Sequence, residues 1–190
     1  MRIALYFGSF NPIHYGHLII ARHVLNSFDV QQVWFIVSPQ NPLKETQALL
    51  NEYHRYHLVQ KAIEAEPAFR ASNIEFGLPR PSYTVDTLQY LKEKYPQHVF
   101  SLILGSDSYQ NLPRWKNHTR LTEMAELIVY ERPGFPVKGA MPQQVHVTQA
   151  PWLAISSTYI RGLLREGKSI RFLVPEDVLQ DIEANGYYRT

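Results

Sequence analysis

Ile3-Ala4-Leu5-Tyr6-Phe7-Gly8-Ser9-Phe10-Asn11-Pro12-Ile13-His14-Tyr15-Gly16-His17 opens on five apolar residues and breaks at Gly8, Asn11 and Pro12. It then leads into an amphipathic pattern with Leu18, Ala21 and Leu25 on one face. The apolar run predicts a buried strand at 3–7, the breakers a loop, and the pattern a helix at 15–28. The same strand–loop–helix unit recurs along the chain. Further strands are predicted at 33–37, 69–76, 99–104, 127–130 and 145–147. Further helices are predicted at 52–66, 84–95, 121–126, 156–165 and 175–184. Pro175 stands at a favourable first helical position and Gly186 beyond the last. Strands that are apolar on both faces, alternating with helices, predict an α/β fold with a parallel sheet covered on both sides. Ligands of such sheets sit beyond the carboxyl ends of strands near a switch point. The residues after Phe7 and after Leu104 are therefore the first places to look.

At 190 residues the chain matches one domain, taking about 100–200 residues per domain. Residues 1–150 are expected to form the α/β core and 151–190 a small helical part. Hydrophobic residues make up 45%, enough for a core without staples. There is no cysteine, which excludes disulfides, thiolate metal sites and a cysteine nucleophile. A net charge of +2 is too weak to argue for nucleic-acid binding by bulk charge. No apolar run approaches the ~20 residues of a membrane span, and the N-terminal run is too short for a signal peptide. A cytoplasmic protein with no nucleic-acid or membrane partner is the expectation.

Two segments carry candidate chemistry. In the first, His14 and His17 are spaced to project together from the first turn of a helix whose N-terminus attracts anions. Gly8 would allow close backbone approach to an anion, and Gly16 would leave room for a ligand. The segment lacks the Gly-Lys-Ser/Thr ending of a Walker A loop and is not a G-x-G-x-x-G fingerprint. A solvated strand–helix turn is the plain alternative. The second segment is Ile155-Ser156-Ser157-Thr158-Tyr159-Ile160-Arg161. Its hydroxyls fit a helix cap, and with Arg161 they also fit a phosphate clamp. His54 and His57 share the i, i+3 spacing but read as ordinary helix residues, and Trp34 and Trp152 as packing residues. Ser9 and Ser157 lack the surroundings of a serine nucleophile.

Taken together, H-x-G-H after the first strand and I-S-S-T-x-I-R near the C-terminus resemble the nucleotidyltransferase superfamily. Within it the chain resembles the bacterial nicotinate-nucleotide adenylyltransferases. Ser82-Tyr83-Thr84-Val85-Asp86-Thr87-Leu88 is similar to that family's S-Y-T-x-x-T-L. Leu104-Gly105-Ser106-Asp107 with Leu112 and Trp115 is similar to its G-x-D-x-x-x-x-L-x-x-W, and Arg132-Pro133-Gly134 to its R-P-G. The matches follow the family's order over nearly the whole chain. Two departures stand out. Phe7-Gly8-Ser9-Phe10-Asn11-Pro12 replaces the frequent G-G-T-F-D-P, and Asn41-Pro42-Leu43-Lys44 replaces P-P-H-K.

The resemblance implies a Rossmann-like fold and the joining of ATP to nicotinate mononucleotide, giving nicotinate adenine dinucleotide and pyrophosphate. It implies that Gly8, Ser9 and Phe10 line the phosphates and that His14 and His17 contact ATP. Ser156, Ser157, Thr158 and Arg161 would hold the leaving group. Gly105 and Asp107 would lie at the adenosine end. Ser9, Asn11, Lys44, Tyr83, Thr84, Trp115 and Arg132 would serve the mononucleotide, with Lys44 on its phosphate and Trp115 stacked on its ring. Mg²⁺ would accompany ATP, carried mainly by phosphate oxygens. Readings kept beside it are a nicotinamide mononucleotide or dual-specificity enzyme, a phosphopantetheine adenylyltransferase, a cytidylyltransferase, a nucleotide-binding regulator without turnover, and an RNA-binding relative of tRNA synthetases.

Overall fold

The computed structural model describes residues 1–40, 49–139, 141–151 and 153–189. Lys44 and Trp152 lie outside the described residues, as do Asn41, Pro42 and Leu43. Among the described residues the chain forms β1 (Arg2–Gly8), α1 (Tyr15–Ser27), β2 (Gln32–Val37), α2 (Glu52–Ile63), β3 (Phe69–Ser72), α3 (Thr84–Lys94), β4 (Val99–Gly105) and α4 (Ser106–Gln110). It continues through α5 (His118–Met124), β5 (Glu126–Tyr130), β6 (Val145–Thr148), α6 (Ser157–Arg165) and α7 (Glu176–Asn185). All six strands join one sheet in the order β3-β2-β1-β4-β5-β6, and every pairing is parallel. After β1 the chain winds outward through β2 and β3, then returns to place β4 on the other side of β1. That reversal opens a crevice beyond Gly8 and Gly105.

Alternation along the strands sends side chains into two separate cores. Ala4, Tyr6, Val33, Phe35, Ile103 and Ile128 face one side, where they pack with Val24 of α1, Leu58 of α2, Ile160 of α6 and Ile182 of α7. Ile3, Leu5, Trp34, Ile36, Leu102 and Leu127 face the other, with Leu88 of α3 and Leu121 of α5. The sheet is therefore covered on both faces, and α6 and α7 pack into the first core.

Three expectations need correction. The strand foreseen at 69–76 ends at Ser72, and Ile74–Gly77 is a 3₁₀ turn, because Glu75 turns inward to hydrogen-bond Ser82 and Thr87. Neither Ser82 nor Thr84 caps α3. Tyr83 occupies that position without a side-chain cap, since the Ser82 hydroxyl is spent on Glu75. Pro175 is the residue before α7, one short of the first helical position, while Gly186 does close that helix at φ +64°. His54 and His57 tie α2 to the C-terminal segment: the Tyr187 hydroxyl lies 2.9 Å from His54 Nδ1, and His57 Nε2 lies 2.8 Å from Asp181.

Ile160 is fully buried where α6 meets the sheet. Ile160→Ala should therefore cost about 2–5 kcal/mol. Urea unfolding should show this as a lowered midpoint with an unchanged slope.

Candidate active site

Two cavities open at the crevice and share a wall made of Tyr6, Phe7, Gly8, Ser9, Asp107, Ser108 and Tyr130. The first, of about 480 Å³, takes in His14, His17, Arg132, Ser157 and Arg161. The second, of about 610 Å³, takes in Glu75, Tyr83, Thr84, Trp115 and Lys116. Both histidine- and hydroxyl-bearing motifs thus meet in one cleft, 140 residues apart in sequence, and the S-Y-T segment meets Trp115 in its neighbour.

The wall between them depends on the loop after β1. Phe10 has φ +43°, a left-handed conformation that costs a non-glycine residue about 1–3 kcal/mol. Its ring is buried edge-on against Tyr6 and His17, with centroids 5.8 and 5.1 Å away. Gly8 is required by this fold-back, since a Cβ there would sit 2.9 Å from the Phe10 ring. Four of the carbonyl oxygens here are engaged by donors from other segments. Gly8 O accepts from Ser38 N at 2.9 Å and Ser9 O from Arg55 at 2.6 Å. Asn11 O accepts from Arg161 Nη1 at 2.7 Å and Pro12 O from the Ser157 hydroxyl at 2.9 Å. Carbonyl dipoles that would repel an anion are thereby satisfied internally.

His14 and His17 stack at 3.8 Å, with ring planes 28° apart. The backbone N–H of His14 donates to His17 Nδ1 at 3.3 Å, which leaves the proton of a neutral His17 on Nε2. His14 is buried and its Nδ1 has no hydrogen-bond partner. Burial, then the charge of Arg132, lowers its pKa from the usual 6.5 to about 4, so it is neutral at pH 7. The space at Gly16 belongs to this ring: a Cβ there would lie 3.0 Å from His14 Nδ1 and Cε1. The glycine of H-x-G-H accommodates the His14 ring and also lines the first cavity.

At the other motif Ser156 is the cap of α6, accepting from Tyr159 N at 3.1 Å. Ser157 and Thr158 form the first turn, whose N–H groups lack intrahelical partners. Arg161 also reaches Thr158 Oγ1 at 3.4 Å, and its Nε is buried without a partner. Burial lowers its pKa, and it stays charged. Across the cleft Asp107 Oδ2 pairs with Arg132 Nη1 at 2.9 Å, while Asp107 Oδ1 has no partner. Gly105 is dictated by this carboxylate, since a Cβ would fall 2.5 Å from Asp107 Oδ1. Below, the Tyr6 and Tyr130 hydroxyls meet at 3.3 Å, and burial raises both pKa values.

In the second cavity the N-terminus of α3 points inward at Thr84 and Val85. Lys116 lies 4.6 Å over the Tyr83 ring and 2.8 Å from Asp86. Trp115 is half-buried on the wall.

Residues 5–163 match the cytidylyltransferase-like family. The probable nicotinate-nucleotide adenylyltransferase of Cytophaga hutchinsonii is 49% identical over 99% of this chain and 98% of its own. The chain belongs to the nicotinate-nucleotide adenylyltransferase family. It is a nucleotidyltransferase. The Flavobacterium johnsoniae protein of the same description is 45% identical over the full length of both chains. The solved Plasmodium falciparum nicotinic acid mononucleotide adenylyltransferase, complexed with NaAD, superposes with a TM-score of 0.84 at 22% identity, covering 98% of this chain and 97% of that one, and so shares the fold.

Against this adenylyltransferase pattern, the expected residues sort as follows. Gly8, Ser9, Phe10, His14, His17, Asp107, Ser156, Ser157, Thr158 and Arg161 line the first cavity. Ser9, Tyr83, Thr84 and Trp115 line the second. Asn11 and Arg132, expected at the mononucleotide, line the first cavity, and Gly105, expected at adenosine, lines the second. Sequence reasoning passed over Arg55 and Glu75. Arg55 had a visible signal, since it lies at i−3 and i−7 from Leu58 and Ala62 on the apolar face of α2. Glu75 had none, because the turn that buries it read as a strand.

His14 binds its proton more weakly folded than unfolded, so the unfolded state takes up more protons between pH 6.5 and 4. The stability this contributes is complete above pH 6.5 and is lost as pH falls towards 4. His14→Gln should flatten that part of the stability–pH curve, read by denaturant unfolding at stepped pH.

Proposed function

We propose that this chain joins ATP and nicotinate mononucleotide to give nicotinate adenine dinucleotide and pyrophosphate. The observation that carries this reading is the pair of adjoining cavities with the loop of Gly8 and Ser9 between them. ATP takes the first cavity and the mononucleotide the second, and the reacting phosphates meet at the shared wall. The segments 1–150 and 151–190 act as one unit, since the first cavity draws on both.

A phosphate oxygen of the mononucleotide is already a nucleophile. It attacks the α-phosphorus of ATP in line, a new P–O bond forms, and the bond to the β-phosphate oxygen breaks to release pyrophosphate. No covalent enzyme intermediate is needed. The protein supplies position and charge. His17 donates Nε2–H to phosphate oxygens, and neutral His14 adds a second donor beside it. Arg161 brings its guanidinium charge, with Ser157 and Thr158 at the positive end of α6, to the departing pyrophosphate. The Asp107 carboxylate on the shared wall accepts a ribose hydroxyl. The N-terminus of α3 receives the pyridine carboxylate and Trp115 stacks on the ring. His14, His17 and Arg161, on the wall of the first cavity, would hold the phosphate oxygens of a magnesium–ATP complex, and the ion would supply neutralisation of triphosphate charge. Lys44 is assigned to the mononucleotide phosphate. The reaction is assigned to the cytoplasm, and no helix among the described residues is long and apolar enough to cross a membrane.

The test is pyrophosphate release with Mg-ATP and, side by side, nicotinate and nicotinamide mononucleotides. A strong preference for the nicotinate form is expected, and no turnover with either would overturn the reading. His17→Ala should lose about 3–4 kcal/mol of transition-state stabilisation, by analogy with an aimed oxyanion donor. Wild-type turnover in that variant would remove the role given to His17. Arg161→Lys should slow release at saturating ATP, because lysine cannot supply the planar fork.

A further inference from the structure

Arg55 and Glu75 are buried, ionisable and outside both motifs. Arg55 makes no ion pair with a carboxylate among the described residues. Its guanidinium donates instead to four carbonyl oxygens: Nε to Leu50 at 2.7 Å, Nη1 to Ser9 at 2.6 Å and to Ser38 at 2.8 Å, and Nη2 to Pro39 at 3.0 Å. A buried charge is tolerated only where its donors are used, and a planar five-donor fork is the one side chain able to reach this many oxygens at once. These oxygens come from three segments: Ser9 from the loop after β1, Ser38 and Pro39 from just beyond β2, and Leu50 from just before α2.

Glu75 does the converse job with acceptors. Oε2 accepts from the Ser82 hydroxyl at 2.9 Å and Oε1 from the Thr87 hydroxyl at 2.8 Å. The Ser38 side chain faces this carboxylate on the wall of the second cavity. Ser38 is therefore held through its backbone by Arg55, with its hydroxyl turned to Glu75. Ser82 and Thr87 flank Tyr83 and Thr84, which line the second cavity, while Ser9 lines both.

We propose that Arg55, Ser38 and Glu75 form a buried strut that sets the phosphate-facing loop after β1 in register with the segment 82–87, with Arg55 and Glu75 as positioning residues for the transfer step. The proposal rests on reading the second cavity as the acceptor site. The strut ties the shared wall at Ser9 to the acceptor cavity, so it governs the distance between the two reacting phosphates more than the binding of either substrate alone. A misplacement of about 1 Å between reacting groups costs on the order of a hundredfold in rate.

The experiment measures kcat with ATP and nicotinate mononucleotide, and the dissociation constant of each substrate alone by calorimetry, for wild type, Arg55→Lys, Ser38→Ala and their combination. Arg55→Lys should lower kcat by roughly tenfold to a hundredfold. The separate dissociation constants should change far less than kcat, a pattern that loss of general structural support would not give. The combination should lose little more than Arg55→Lys alone, since both act through one strut. Should Arg55→Lys fail to fold, Ser38→Ala, which deletes a single hydroxyl, carries the same expectation in smaller degree. Unchanged kcat in the folded variants overturns the strut, and so does a fall in kcat that merely follows weaker binding. A wild-type chain silent with both acceptors overturns the proposed function itself, and the inference with it, whereas an active wild type with unaffected variants overturns the inference alone.

Discussion

The burial of the Phe10 ring beneath the loop after β1 is the constraint on which the site depends. A left-handed aromatic residue persists there only because its ring is packed among Tyr6, His17 and Phe35. That packing leaves no room for a side chain at Gly8 and turns the loop so that its carbonyls meet donors from β2, α2 and α6. The surface proposed to face phosphate is thus built by removing negative dipoles from it as much as by adding cations. His14 follows the same logic. Kept neutral by burial and by Arg132, it stacks on His17 without bringing a positive charge of its own.

The sheet places this loop opposite the start of α4, and the two cavities follow from that placement. Asp107 and Arg132 pair at the centre, so neither brings an uncompensated charge to the wall between the cavities. The side chains that differ between the cavities are those that differ between the ligands assigned to them. Imidazoles, an arginine and a helix end answer to a polyphosphate, and an aromatic ring with a second helix end answers to a planar ring bearing a carboxylate.

Much of this was legible in the residues. Runs such as 3–7 and 99–104 announced themselves because a central parallel strand is buried on both faces and must be apolar throughout. The crevice followed from their order. His14, His17, Ser157 and Arg161 were readable as a set, and they do share one cavity. What was not legible had specific physical causes. The short helix Ser106–Gln110 and the turn Ile74–Gly77 are too brief to show periodicity and are held by polar contacts from distant residues. The contact of Gly16 with the His14 ring was not legible, because nothing in one dimension tells which neighbour will pack on a gap. Arg55 drew no reading, although its place on the apolar face of α2 was visible.

The bonds from Ser157 and Arg161 to the loop after β1 span 145 and 150 residues. A ribosome delivers the loop early and its fastening late. Until α6 is made, the carbonyls of Asn11 and Pro12 lack the donors that Arg161 and Ser157 bring, and the first cavity lacks the side those residues form. The order of synthesis therefore leaves the completion of that cavity to the last part of the chain.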